Sequence, residues 1–271
     1  MKIQFELCVE TLKSARAAER GGADRIELCS VLDIGGVTPG ERLTADIVQA
    51  LSIPVHVLIR PRGGNFACSA GEFDRMCQQV QWVKEAGVAG VALGVLLADG
   101  RVDIDRSRQL VELARPMKAT FHRAFDETAD LGEALEAVIE TGADCLLTSG
   151  GAADVLAGAE QIAQLVRQAG DRIQIMAGGG LRLANLAEVL KRTGVRWLHG
   201  SLTRRGAVSG REIVNGDAEA GEAAILEADV RAAIKLLRGR HPGRYSIFTD
   251  GVMSATEAES ARPTGSDDLA R

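Results

Sequence analysis

Residues 3–29, IQFELCVETLKSARAAERGGADRIELC, hold two short apolar segments with an amphipathic stretch between them. The apolar segments, near 3–8 and 24–29, both end in Glu-Leu-Cys, and glycine follows the stretch at about 10–21. Short apolar runs that flank a helix-length periodic pattern predict a βαβ unit, and glycine is expected just past the end of a helix. These residues therefore predict two parallel strands joined by a helix.

The same unit recurs along the chain. Strand candidates lie near 3–8, 24–29, 53–60, 88–95, 117–122, 144–149, 172–177 and 196–201, and helix candidates near 10–21, 41–51, 71–86, 104–115, 131–141, 154–168, 182–193 and 226–238. Several helix-to-strand joints carry glycine, at Gly22, Gly87, Gly142 and Gly194. Since no break in this rhythm marks a domain boundary, we expect the α/β class with a single (β/α)8 (TIM) barrel over residues 1–240.

Two segments depart from the pattern. Residues 203–225 are rich in glycine and charge and would form the loop after the eighth strand. From about Gly239 the chain gains Gly, Pro, Ser, Asp and Thr and loses its apolar periodicity, so we expect a mobile tail over 241–271.

Composition narrows the function classes. A net charge of −5 and 3% aromatic residues disfavour a nucleic-acid surface, which needs basic stripes and stacking rings. No signal-peptide pattern opens the chain and no apolar run is long enough to span a membrane. Five cysteines without disulfide-framework spacing suit a reducing compartment. We therefore expect a cytoplasmic protein with free thiols and no nucleic-acid or membrane partner.

The repeated Glu-Leu-Cys motif predicts a polar cluster. Side chains two apart on a strand share a face, so Glu6 projects with Cys8 and Glu27 with Cys29. If the two strands are parallel neighbours, two carboxylates and two thiols converge at the carboxyl end of the barrel, where (β/α)8 active sites form. The thiols could form a soft two-thiolate metal site that favours Cu(I). Alternatively, they are small buried side chains that pack beneath the barrel mouth.

Two arginines follow the third strand candidate. Arg60 and Arg62 flank Pro61 and precede Gly63 and Gly64, which indicates an anion site where backbone amides can approach a ligand. The alternative is that one of these arginines pairs with a buried glutamate of the Glu-Leu-Cys motifs, because buried charges are normally paired.

The fifth strand candidate leads into a second polar segment. His122, Arg123 and Asp126 offer an imidazole, a cation and a carboxylate, which together suit proton transfer near neutral pH. Strand alternation allows only one of His122 and Arg123 to face the lumen while the strand stays regular. Alternatively, Asp126 caps the next helix or pairs with Arg123.

Glycine-rich loops follow the last strands. Gly178, Gly179 and Gly180 follow the seventh strand candidate, and His199 and Ser201 close the eighth. These loops bind phosphate in many (β/α)8 barrels. Ser149, after the sixth strand, could add a hydroxyl donor. The same residues could equally form ordinary tight turns and helix starts.

The sequence lacks the motifs of several common catalytic mechanisms. No lysine ends a strand candidate to serve as a Schiff-base nucleophile, and no Walker or dinucleotide motif follows a strand. The inventory instead suits acid/base chemistry on a small phosphorylated or carboxylated metabolite. The candidates for the acid and base are Glu6, Glu27, His122 and Asp126.

Taken in order, the motifs resemble one family, the copper homeostasis proteins CutC. The similar segments are Glu6 to Cys8, Gly22 to Cys29, Gly35 to Pro39, Ile59 to Gly64, Thr120 to Asp126, Leu147 to Gly150 and Met176 to Gly180. The resemblance implies a cytoplasmic (β/α)8 barrel that forms a homodimer or higher homo-oligomer and binds Cu(I) at Cys8 and Cys29. Two hypotheses follow, a copper-binding protein and a metabolic enzyme, and the sequence leaves open whether a reaction is catalysed.

Overall fold

Strands and helices alternate through the computed structural model, which describes residues 2–202 and 225–239. The strands are β1 (Gln4–Val9), β2 (Arg25–Leu28), β3 (Val55–Leu58), β4 (Gly90–Leu93), β5 (Lys118–Phe121), β6 (Cys145–Thr148), β7 (Gln174–Gly178) and β8 (Trp197–Gly200). The α-helices are α1 (Leu12–Gly21), α2 (Glu41–Ala50), α3 (Ala70–Glu85), α4 (Ile104–Ala114), α5 (Leu131–Glu140), α6 (Ala159–Ala169), α7 (Leu186–Thr193) and α8 (Glu227–Arg238). Short 3₁₀ helices span Leu32–Ile34 and Arg123–Glu127. Every predicted strand and helix is present.

The eight strands form a closed parallel barrel. They pair in chain order, and β8 returns to pair with β1, with Glu6 opposite His199. On the other side of β1, Glu6 lies opposite Arg25 and Cys8 opposite Glu27 of β2. The predicted (β/α)8 barrel is therefore confirmed, and its register brings the two Glu-Leu-Cys motifs side by side.

Local capping chemistry sets several helix ends. The Thr11 hydroxyl accepts a hydrogen bond from the Ser14 N–H and begins α1, and Ser69 and Glu72 form a reciprocal capping box at the start of α3. Gly22 ends α1 with φ of +93°, a left-handed conformation that costs glycine little. The predicted glycine stop after the first helix is confirmed.

Two helices begin later than their periodicity predicts. The pattern places the sixth helix from 154, but the Asp154 carboxylate accepts from the Leu156 and Ala157 N–H groups and holds a turn there, so that α6 begins at Ala159. The seventh helix, predicted from 182, begins at Leu186, because the Asn185 side chain accepts from the Arg182 N–H in a turn. In both cases side chains satisfy backbone donors in a non-helical way.

Strand alternation separates the core from the lumen. Phe5, Leu7 and Val9 of β1 are buried in the large apolar cluster between the strands and the helices. Their neighbours Glu6 and Cys8 are also buried, but Glu6 contacts the charged groups of Arg25 and His199, and Cys8 contacts the Cys29 thiol. The barrel interior therefore carries charge at this level.

Two of the predicted segments fall beyond this description. Residues 203–224 of the predicted loop and the predicted tail at 241–271 lie outside the described residues. Among the helices that are described, none is long and apolar enough to cross a membrane.

Candidate functional site

A cavity of about 1160 Å³ opens at the carboxyl ends of the strands. Ten of the predicted site residues line it, namely Cys8, Glu27, Cys29, Arg60, His122, Arg123, Gly179, Gly180, His199 and Ser201. Five do not, namely Glu6, Arg62, Asp126, Ser149 and Gly178. The barrel thus brings most of the predicted polar residues to one place.

A buried ion-pair network lies at the base of the cavity. The Arg25 guanidinium donates from Nε to Glu6 Oε2, and the other Glu6 oxygen lies 2.7 Å from His199 Nδ1. Burial disfavours the charged carboxylate, but Arg25 and His199 outweigh it and hold the pKa of Glu6 far below its usual range. Glu6 is therefore an ionised anchor for the imidazole.

His199 lies between two carboxylates. Its Nε2 is 3.8 Å from Glu27 Oε2, on the side opposite Glu6. Burial opposes the charged imidazole, but Glu27 and then Glu6 overcome it and raise the pKa of His199. Burial and the charge of Glu6 raise the pKa of Glu27. An imidazole and a carboxyl group that both have raised pKa values and lie this close together form an arrangement suited to proton transfer.

Arg25 is a residue that the sequence prediction missed. One alternative from the sequence is that Arg60 or Arg62, after the third strand, pairs with Glu6 or Glu27, and it is wrong for Glu6 because Arg25 of β2 fills the role. Its guanidinium also stacks 4.2 Å over the Trp197 ring. Arg25 lies two residues before Glu27, so strand alternation could have placed it on the same face.

The two thiols of the motif are in contact. Cys8 Sγ lies 3.2 Å from Cys29 Sγ, and both side chains pack with Leu58 and Ala92. The hydrogen bond with Cys29 and then burial raise the pKa of Cys8 well above its usual value. The two alternatives for the thiols are therefore compatible in this structure, since the thiols pack under the mouth and also adjoin each other.

A metal ion could find mixed ligands here. One ligand atom from each of Cys8, Glu27 and His199 lies within 4.8 Å of the others, and Cys29 Sγ adjoins Cys8. Two sulfurs that share an ion at about 2.3 Å each can lie up to about 4.6 Å apart, so the observed 3.2 Å is compatible with a shared ion. Sulfur and imidazole donors suit Cu(I) or Zn²⁺ rather than Mg²⁺ or Ca²⁺.

The two arginines after β3 have different positions. Arg60 is buried and lines the cavity, where its Nη atoms donate to the carbonyls of Ile34, Gly36 and Gly64. Arg62 is partly exposed and turns to Glu72, with Nε 2.5 Å from the carboxylate. Only Arg60 is placed to meet a ligand in the mouth cavity.

His122 and Arg123 both line the cavity, which corrects the expectation that only one of them could. The regular strand ends at Phe121 and a 3₁₀ helix begins at Arg123, so the alternation rule no longer applies. Burial and then the charge of Arg60 lower the pKa of His122 to about 3. The imidazole is therefore neutral at physiological pH.

Asp126 has a structural role. Its carboxylate accepts from the Thr148 hydroxyl, the Ser149 N–H and hydroxyl and the Gly151 N–H. It also pairs with Arg123 Nε at 2.8 Å. These contacts match the structural alternative for Asp126, and they tie the β5 and β6 loops together.

The glycines after β7 allow a close approach of loops. Gly179 has φ of +99°, and a Cβ there would lie 3.1 Å from Arg123 Cζ and from Ser149 Cβ. Gly178, in β7, lies opposite His199 of β8. The Gly179 backbone can thus reach the cavity wall beside Arg123 without steric conflict.

Comparisons with known proteins agree with the motifs. The sequence profile of the CutC family matches residues 3–204. A protein named CutC from Caulobacter vibrioides is 46% identical over 200 residues, covering 74% of this chain and 81% of the relative. A CutC protein from Vibrio cholerae is 44% identical over 201 residues, covering 73% and 79%. A structure from Streptococcus agalactiae, which carries the name copper homeostasis protein CutC, superposes with a TM-score of 0.70 at 30% identity, covering 74% of this chain and all 100% of that one.

Proposed function

The chain belongs to the CutC family, and on that premise we propose that it binds Cu(I) as its cargo, in copper homeostasis, through Cys8 and Cys29. The observation that carries the proposal is the 3.2 Å separation of the two Sγ atoms in the wall of the cavity. The resemblance to CutC proteins and the name of the Streptococcus agalactiae relative support copper as the metal. Thiols are the ligands that Cu(I) prefers.

The surrounding residues complete the proposed copper site. Glu27 and His199 offer an oxygen and a nitrogen within 4.8 Å of the Cys8 sulfur. The pKa of Cys8 is raised well above its usual value, so its thiol must release a proton as the cation binds. The proposed site therefore exchanges that proton for the metal in the wall of the cavity.

The test is an anaerobic Cu(I) titration against a competing chelator. We expect one Cu(I) per chain in the parent protein and loss of tight binding in the Cys8→Ser/Cys29→Ser variant. The matched control is Cys77→Ser, since Cys77 lies on α3 and outside the cavity wall. Binding that is weak in the parent, or equal in the parent and the double variant, would refute the copper site.

We also propose a location and an assembly. All five cysteines are free thiols in the structure, which suits the cytoplasm, and the family resemblance favours a homodimer or higher homo-oligomer. Light scattering after size-exclusion chromatography tests the assembly, and a monomeric mass at micromolar concentration would contradict it.

A second candidate function is acid/base catalysis on a small phosphorylated or carboxylated metabolite. The observation that favours it is the position of His199, which is held between Glu6 and Glu27 at the edge of the cavity. Copper binding by two thiols does not require Arg25 or the ion-pair network that joins Arg25 to Glu6 and His199. Glu27 would exchange a proton with the substrate while His199 supplies the compensating charge, and Arg60, Gly179 and Ser201 would hold the anion.

The test of this second function is deuterium exchange. The protein is incubated in D₂O with a panel of phosphorylated and carboxylated metabolites, and NMR follows loss of substrate C–H signals. We expect exchange into one class of metabolite that Glu27→Gln abolishes and Glu41→Gln, a control on α2, preserves. Equal exchange with the parent and Glu27→Gln would contradict the assignment of Glu27.

A further inference from the structure

Two buried N–H donors in the wall of the cavity have no partner among the described residues. They are Arg60 Nε and His122 Nε2, and both residues line the cavity. Both residues are more than nine-tenths buried. Buried donors without a partner are uncommon in native proteins, and a bound group is one explanation for them. We call Arg60, Phe66 and His122 together the Arg60–His122 pocket.

The hydrogen bonds of His122 define which nitrogen carries the proton. Its Nδ1 accepts from the Ala124 N–H at 3.2 Å, so in the neutral imidazole the proton lies on Nε2. Gly94 makes room for this ring, because a Cβ at that position would lie 2.9 Å from Nδ1. His122 therefore presents Nε2–H as a fixed donor without carrying a charge.

Arg60 contributes a cation whose attraction to an acidic group, Glu127, acts only beyond ion-pair distance. Its Nη atoms are occupied by three backbone carbonyls, and no carboxylate lies within ion-pair distance of it among the described residues. A guanidinium remains charged in proteins, and a buried charge without a partner is costly. An anion that accepts from Arg60 Nε would satisfy both the charge and the unused donor.

The Phe66 ring contacts both side chains. Arg60 Cζ stacks 4.5 Å from the ring centroid, and the His122 ring centroid lies 5.0 Å from the same ring. Phe66 also lines the cavity. The pocket therefore combines one positive charge, two N–H donors and an apolar surface.

We infer that the Arg60–His122 pocket binds the carboxylate of a small organic acid, with one carboxylate oxygen on Arg60 Nε and the other on His122 Nε2. One cation and one neutral donor match a monoanion with two oxygens, whereas a phosphate dianion would keep an uncompensated charge. This inference deepens the acid/base function proposed above and selects the carboxylated class of metabolite.

The experiment is an NMR titration of ¹⁵N-histidine-labelled protein. The chain has only four histidines, and loss of one signal set in His122→Gln assigns His122. The probes are acetate, pyruvate and inorganic phosphate at equal ionic strength. We expect saturable shifts of the His122 ring signals with acetate and pyruvate, and none with phosphate.

Variants separate the pocket from general charge effects. Arg60→Met and Arg60→Lys, of which the second keeps a charge but lacks Nε, should each weaken carboxylate binding by about tenfold or more. Arg106→Met is the matched control, because Arg106 also stacks on a phenylalanine, Phe73, but does not line the cavity. It should bind the probes as the parent does.

Three results would overturn the inference. They are the absence of saturable shifts with either acid, phosphate binding as tight as carboxylate binding, and undiminished binding in folded Arg60→Met. Failure of the acid/base function is distinguishable, because Glu27→Gln would still bind acetate at the pocket even if no metabolite exchanged its protons.

Discussion

The two sides of the barrel mouth handle buried charge in opposite ways. On the acid–thiol side, formed by Glu6, Cys8, Arg25, Glu27, Cys29 and His199, ionic groups meet each other within the protein. In the Arg60–His122 pocket, a buried cation and a neutral imidazole each keep a donor without a partner. The difference indicates that the ionic groups of the first side are paired within the protein, whereas the pocket requires a ligand to pair its unused donors.

The contrast follows from where the residues lie along the strands. Glu6, Arg25 and His199 are on paired strands, where register places opposite charges side by side. Arg60 and His122 lie just past the ends of β3 and β5. The strands therefore build the paired network, whereas the two unpartnered donors of the cavity wall lie in the segments that follow the strands, at the carboxyl face of the barrel.

The largest effect is expected from breaking the paired network. Arg25→Met leaves the Glu6 carboxylate buried without its guanidinium, and removal of one partner from a buried ion pair costs about 3 to 5 kcal/mol. Arg60→Met, which leaves no buried carboxylate behind, should cost only about 1 to 3 kcal/mol through its lost bonds to carbonyls. Urea unfolding of both variants measures the free energies of unfolding. An Arg60→Met variant as unstable as Arg25→Met would contradict the contrast.

A matched control for this prediction is Arg20→Met. Arg20 pairs with Glu227 at 2.8 Å, but both side chains are substantially exposed. Exposed pairs contribute little to stability, so this variant should unfold close to the parent. A loss comparable with that of Arg25→Met would mean that burial of the pair is not the cause.

The two cavity histidines should respond to pH with opposite signs. The pKa of His122 is lowered to about 3 in the folded protein, below about 6.5 in the unfolded chain. The unfolded chain therefore binds more protons between these values, and His122 makes stability fall as the pH falls, by about 1.4 kcal/mol per pH unit. His199, whose pKa is raised, contributes stability that is present below about pH 6.5 and lost as the pH rises through its folded pKa.

Unfolding of the parent and His122→Gln at about pH 6 and about pH 5 tests this sign. His56, whose pKa is lowered to about 4 by burial and then by Arg25, keeps its own contribution in both proteins. The variant should therefore lose less stability than the parent over this interval. An equal loss in the two proteins would show that His122 does not stay neutral in the folded state.

A smaller effect is expected from crowding the imidazole of the pocket. In Gly94→Ala the new Cβ would lie 2.9 Å from His122 Nδ1 and 3.0 Å from the Phe121 ring, and both rings are buried. Such overpacking costs about 1 to 3 kcal/mol. Because the imidazole must shift, acetate binding should weaken while Cu(I) binding at the thiols stays unchanged.

Gly71→Ala is the control for this substitution. Gly71 lies in α3, where a Cβ would meet nothing within 4 Å, so alanine should stabilise the helix by about 0.5 to 1 kcal/mol. If Gly94→Ala were as stable as Gly71→Ala and bound acetate normally, the close fit around His122 would be wrong.

Much of this contrast is encoded in local sequence, but not all of it. Alternation within Glu-Leu-Cys was enough to place Cys8 beside Cys29, because a period of two fixes the face and neighbouring parallel strands fix the contact. The sequence places the charge partner of Glu6 after the wrong strand. The register between β1 and β2 depends on the closed barrel, so it cannot be read from either segment alone.

The sequence predicts only part of the Arg60–His122 pocket, for a related reason. Arg60 and His122 stood out as polar residues at strand ends, but nothing in the sequence shows that three carbonyls occupy the Arg60 Nη atoms and leave Nε unused. Both His122 and Arg123 line the cavity because a 3₁₀ helix interrupts the alternation of side chains along the strand. Hydrogen bonds between distant loops are set by packing, and local pattern carries little information about them.

The smallest effect is expected at Arg62, and it separates the pocket from the neighbouring loop. Arg62 shares the Arg-Pro-Arg motif with Arg60, but it pairs with Glu72 and lies outside the wall of the mouth cavity. Because this pair is partly exposed, Arg62→Met should leave the free energy of unfolding close to that of the parent. Its affinity for acetate should equal that of the parent in the same NMR titration, whereas Arg60→Met loses binding. Equal losses of acetate affinity in the two variants would show that the Arg-Pro-Arg motif attracts anions through its summed charge. The distinction between the two sides of the mouth would then rest on the acid–thiol network alone.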